Sequence, residues 1–160
     1  MKKTNLKEVA ELIGIASIVA SLIFVGMQMK QSQQIAIASQ YHSRAELAIV
    51  NWGNLMSSEE APAIFAPILE EAMPDVTPEE RAYAYFSAVS FHTLVDNHLY
   101  QYQAGFLDEE AWRPRREQLK NVLLSREYMQ FVCLRLEFRS SYKQLCAELI
   151  AEGNAESAKR

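Results

Sequence analysis

Leu12-Ile13-Gly14-Ile15-Ala16-Ser17-Ile18-Val19-Ala20-Ser21-Leu22-Ile23-Phe24-Val25-Gly26-Met27-Gln28-Met29 is the stretch whose reading decides how this chain is built. It holds no charged side chain. Coiled at ~1.5 Å per residue it is about 27 Å long, close to the ~30 Å hydrocarbon core of a bilayer. A helix pairs its own backbone N–H and C=O groups, the condition for standing in lipid. Two other readings compete. A cleaved signal peptide would use Lys2 and Lys3 as its basic region and Ala36-Ile37-Ala38 as its cleavage motif. Apolar regions of such peptides run to ~7–15 residues, and this motif lies well past the end of the run, after Lys30. A buried core helix would need an apolar run of a length rare in so small a domain. An uncleaved single-pass anchor is therefore expected.

The flanks bear on orientation. Lys2, Lys3 and Lys7 precede the run, while Lys30 and Arg44 are the bases close behind it. The positive-inside rule then places the N-terminus in the cytoplasm and the following domain outside, across the inner (cytoplasmic) membrane of a cell. Through Lys30 there are four lysines against two glutamates, a net of +2. The remainder has 12 bases against 18 acids, a net of −6. A domain of that sign does not draw in phosphate backbones, so nucleic acid is not an expected partner.

Beyond Met29 nothing stops the helix. Gln31, Ser32, Gln33 and Gln34 are polar, then Ile35, Ala38, Tyr41, Ala45, Ile49 and Trp52 recur at the three-to-four spacing of an amphipathic helix. Helix 1 is expected from near Leu6 to near Met56, serving as both anchor and first helix of the domain. Ser58 with Glu59, Glu60 and Pro62 opens a short second helix that ends by Met73-Pro74. Thr77-Pro78-Glu79-Glu80 is a capping box with proline at the first helical position. The helix it opens should close at Ala104-Gly105. Asp108 caps a fourth helix, which Pro114 should kink or restart. Ser125 opens a fifth, continuous to Ile150 and stopped by Gly153. No stretch alternates with period two. The expected class is all-α, a transmembrane helix continuous with a four- to five-helix bundle: flank 1–11, span 12–29, helical domain 30–153, frayed tail 154–160.

The segments Glu11-Leu12-Ile13-Gly14 and Ser21-Leu22-Ile23-Phe24-Val25-Gly26, with Gln28 and Gln31, resemble the start of a widespread group of uncharacterised bacterial single-pass membrane proteins. Asp96-Asn97-His98-Leu99-Tyr100-Gln101-Tyr102-Gln103-Ala104-Gly105-Phe106-Leu107-Asp108, with Trp112, is similar to the second half of the same group. The resemblance covers most of the chain. It implies a helical, membrane-anchored domain, and it brings no activity, cofactor or catalytic residue.

Candidate chemistry is sparse. Cys133 and Cys146, on one continuous helix, would stand about 20 Å apart. A disulfide needs Cα atoms within ~7 Å, so the two should stay unpaired unless that helix breaks. His42 with Glu46, and His92 with Asp96, are pairs four apart that could converge as a metal site if their helices pack together. The two Glu-x-x-His motifs of di-metal bundles are missing. No G-x-S-x-G or glycine-rich phosphate loop occurs, so neither catalysis nor a cofactor is expected. Seven acids and no base lie between Glu59 and Glu80. Arg113, Arg115, Arg116, Lys120 and Arg126 follow in and around helix 4, and the two segments could dock weakly. Asp96 is the lone acid of helix 3 between Glu80 and Asp108. Arg135 and Arg139, set in the apolar face of helix 5, are its expected counter-charges, because buried arginines are almost always paired.

The residues together point to a non-enzymatic interaction or assembly module in the bilayer, able to self-associate and to hold a protein partner. The alternative is a metal-binding helical membrane protein using His42, Glu46, His92 and Asp96. Ala10, Gly14, Ser17, Ser21, Phe24 and Gln28 recur at 4-3-4-3-4 spacing and make one face of mostly small residues, the kind that lets helix backbones approach in lipid. Replacing Gly14, Ser17 and Ser21 together by leucine should abolish cross-linked dimers in membranes. Dimers at unchanged yield would exclude that face from self-association.

Overall fold

In a computed structural model, residues 6–158 are described, and among them there is no strand. Helix α1 runs unbroken over Leu6–Met56. It is followed by α2 (Ala61–Phe65), α3 (Pro78–Gln103), α4 (Glu109–Ser125), α5 (Glu127–Arg135) and α6 (Ser140–Ser157). By internal contacts the chain divides after Ser39.

In the first unit, α1 contains an 18-residue window of mean hydropathy 2.2, none of it buried within the chain. It is long and apolar enough to cross a membrane. Ser17 Oγ donates to the Ile13 carbonyl and Ser21 Oγ to that of Ser17, each at 2.8 Å, so the hydroxyls of the small-residue face are satisfied within the helix.

In the second unit, α3 is the central helix. Thr77 and Glu80 form the reciprocal capping box, and Gly105, at φ +79°, closes the C-terminal end in the left-handed conformation that glycine adopts without strain. The aromatic cluster of Trp52, Phe65, Tyr85 and Phe86 packs α1 and α2 on the first turns of α3. Asp108 Oδ1 accepts from Ala111 N at 2.8 Å to start α4. Pro114 does not break α4. Its missing N–H leaves the Glu110 carbonyl without its usual donor, and both residues are exposed, where water can replace that bond.

Three expectations are corrected. The stretch from Ser125 to Ile150 is not one helix: α4 ends at Ser125, the extended Arg126 starts α5, and α5 and α6 are parted by Leu136–Arg139. That corner folds the chain back and brings Cys133 and Cys146 to a Cα separation of 6.6 Å, where they form a disulfide. Both cysteines are fully buried. Gly153 does not end its helix either. It sits inside α6 against Leu124, where any Cβ would overlap the leucine side chain, so the residue provides close approach of α6 to α4. Residues 154–157 are accordingly helical, and residues 159–160 of the expected tail lie outside the described residues.

The basic residues of α4 find their acids on α6, not in the Glu59–Glu80 stretch. Lys120 Nζ donates to Glu152 at 2.9 Å and to Glu156 at 2.8 Å, and Arg116 donates to Glu152 at 2.8 Å. These bonds raise the Lys120 pKa, through Glu156 first and Glu152 next, and lower that of Glu152. They clasp α4 to α6 where Gly153 lets the helices touch.

Candidate functional site

The polar groups that the fold buries are concentrated on one segment of α3. His92, Asp96 and Asn97 are respectively 0%, 6% and 1% exposed. A charge or imidazole so placed needs partners, and each has a different set.

Asp96 is held from two sides. Arg139, at the α5–α6 corner, donates from Nε to Asp96 Oδ1 at 2.8 Å and from Nη2 to the Asp96 backbone carbonyl at 2.9 Å, with Nη2 also 2.7 Å from Oδ1. Tyr41 of α1 donates its hydroxyl to Asp96 Oδ2 at 2.9 Å. The Arg139 guanidinium lies 5.5 Å from the Tyr41 ring centroid and 5.3 Å from that of Tyr100, and the two rings are stacked. Burial, then the charge of Asp96 and its hydrogen bond, push the Tyr41 pKa up to about 12, so the phenol remains a donor. One carboxylate thus ties α1, α3 and the corner before α6 together. Arg135 takes no part: it is exposed, over the Phe131 ring.

His92 is one turn away and faces elsewhere. Its Nε2 lies 3.0 Å from the Met129 carbonyl and its Nδ1 2.8 Å from the Tyr142 hydroxyl. A carbonyl only accepts, so Nε2 carries the proton and Nδ1 accepts from Tyr142. Burial lowers the His92 pKa to about 4, against a smaller opposing effect of the Met129 bond. The imidazole is neutral in the folded chain.

His42 and Glu46 meet at 3.3 Å, both largely exposed, and His42 Nδ1 accepts from Asn97 Nδ2 at 3.0 Å. His42 and Glu46 therefore form one pair, whereas His92 and Asp96 are engaged by separate neighbours, and the four do not gather round a common point. The ligand-type group that does come together among the described residues is His92 with Cys133 and Cys146, their donor atoms all within 4.8 Å. Its sulfurs are joined to each other, and both imidazole nitrogens have partners.

The chain matches no protein-family model, no curated protein and no solved structure. Its site is therefore read from its own geometry. Beside the Asp96–Arg139 pair is a cleft of about 300 Å³ whose walls include Ala45 and Ala48 of α1, Thr93 of α3, and Glu137 and Phe138 of the corner. Arg44 of α1 lines it too. Of the corner residues the sequence pointed to Arg139, as a counter-charge of Asp96, and missed Glu137 and the place of Phe138 in the cleft, because a continuous helix would have pointed them differently. The Ser140-Ser141 pair, a helix-start signal, was the one local cue.

The neutral state of His92 sets a pH dependence. In the unfolded chain its imidazole takes up a proton near pH 6.5, whereas in the fold it does so near pH 4. The unfolded state binds more protons between these values, so the contribution is complete above pH 6.5, falls as pH drops, and is gone below pH 4. Over that interval the chain should lose about 3 kcal/mol more stability than a His92→Gln variant, measured by chemical denaturation at each pH. Identical pH profiles would remove His92 from the acid response.

Proposed function

We propose that this chain is a membrane-anchored helical interaction module, non-enzymatic, with its domain on the exterior face of the inner membrane. The observation that carries the anchor is the charge-free run of α1, apolar over the length of a bilayer and unburied by the rest of the chain. The small-residue face from Ala10 to Gln28 supports self-association within the bilayer. A non-enzymatic role is supported by what the buried ionisable groups do. Asp96 is taken up by Arg139 and Tyr41, His92 by Tyr142 and Met129, and Lys120 by Glu152 and Glu156. Each of these groups is occupied in joining helices.

Orientation draws on two independent supports. Lys2, Lys3 and Lys7 ahead of the run favour a cytoplasmic N-terminus. The Cys133–Cys146 disulfide favours an oxidising compartment for the domain, since cytosolic thiols are kept reduced. Partner capture is the expected role of such a module; the resemblance to bacterial single-pass proteins supports the anchored layout alone.

Labelling tests this reading. A membrane-impermeant maleimide applied to intact spheroplasts should label a Glu110→Cys variant, whose engineered thiol is on an exposed turn of α4. In the unaltered chain, acid-trapped from cells, Cys133 and Cys146 should resist alkylation until reductant is added. Labelling only after lysis, with both native thiols free, would reverse the orientation.

A further inference from the structure

The cleft beside Asp96 carries two opposite charges that the fold does not use. Arg44, on α1, and Glu137, at the α5–α6 corner, both line it, and neither side chain has a hydrogen bond or ion pair with any described residue, including each other. The Thr93 hydroxyl, also in the wall, is likewise unengaged. The remaining charges, Asp96 and Arg139, neutralise each other, and Asp96 has both oxygens filled by Arg139 and Tyr41. The same cleft has apolar lining from Ala45, Ala48 and Phe138.

We propose that this cleft is a binding site for a small zwitterion, an α-amino acid with an apolar side chain. Its carboxylate is received by the Arg44 guanidinium, which binds carboxylates in a planar, two-bonded geometry, with the Thr93 hydroxyl as a further donor. Its ammonium is received by the Glu137 carboxylate. Its side chain lies on Ala45, Ala48 and Phe138. A volume of about 300 Å³ is at the small end of ligand pockets and fits a molecule of this class. A simple anion would leave Glu137 opposed to it, and a simple cation would leave Arg44 opposed, so a ligand with both charges matches the cleft best. Asp96, Arg139 and Tyr41 also line the cleft, and their bonds join α1, α3 and the corner that contribute to it. This site goes beyond the anchored-module reading and does not depend on which face of the membrane the domain occupies.

The test is calorimetric titration of the full chain in detergent with L-leucine, N-acetyl-L-leucine and L-leucinamide, followed by the other proteinogenic amino acids. L-leucine should bind saturably. The acetylated and amidated forms, each lacking one charge, should bind at least ~10-fold more weakly, the size expected for losing a hydrogen-bonded charge. Arg44→Ala and Glu137→Gln should each weaken L-leucine by a similar factor. Both residues are exposed, so each variant should keep the melting temperature of the parent, which is measured alongside. Glu46→Gln, outside the cleft, should bind as the parent does. No binding of any amino acid at about 10 mM overturns the proposal, that concentration being above the dissociation constant of even a weak site. Binding unchanged in both variants, or N-acetyl-L-leucine binding as well as L-leucine, overturns it as well.

Discussion

Asp96 is in the middle of α3, a helix whose other buried side chains are mostly apolar or aromatic, and it is 6% exposed. Taking a carboxylate out of water costs several kcal/mol unless a cation and hydrogen bonds replace the lost hydration. In this fold the replacement comes from two other parts of the chain at once, Arg139 at the α5–α6 corner and Tyr41 on α1. A salt bridge of this kind adds little net stability compared with a well-packed apolar pair, but it tolerates few alternative arrangements. It sets where α6 begins and which turn of α1 faces α3. The cleft lined by Arg44 and Glu137 is a consequence, because its two walls are the segments that Asp96 holds.

The corner between α5 and α6 shows what local sequence could and could not say. No proline or glycine lies between Ser125 and Ile150, and the apolar positions there are dense enough to continue a helix through. Propensity alone therefore extends the helix. What opens it is tertiary: Leu136–Arg139 leaves the helix so that Arg139 meets Asp96, Phe138 packs near His92 and Tyr142, and Cys133 reaches Cys146. Apart from Tyr142, four residues from Phe138, those partners are 13 or more residues away in sequence. The same reason explains Gly153, which reads as a stop and acts as a contact surface for Leu124.

Other features were legible because their causes are local. The capping box at Thr77, the Asp108 cap and the left-handed Gly105 each depend on a few adjacent residues. The all-helical class and the length of α1 follow from composition and period. For the candidate site, the need of Asp96 for a counter-charge could be read from its isolation in an apolar helix. The hydroxyl of Tyr41 and the pairing of His92 with Tyr142 could not, since aromatic residues at helical spacing read as core and their polar ends show only in three dimensions. The unused pair Arg44 and Glu137 was hidden for the same reason, each being one charge among many on exposed surface.

A double-mutant cycle on Asp96 and Arg139 measures directly whether one buried pair organises this domain. Asp96→Ala, Arg139→Ala and the double variant are compared with the parent by chemical denaturation at pH 7. If the pair is the buried constraint described here, Asp96→Ala should cost about 3–5 kcal/mol, and the double variant should cost well under the sum of the two single variants. A loss below ~1 kcal/mol for Asp96→Ala, with additive single effects, is the behaviour of a solvated surface pair and would contradict the account.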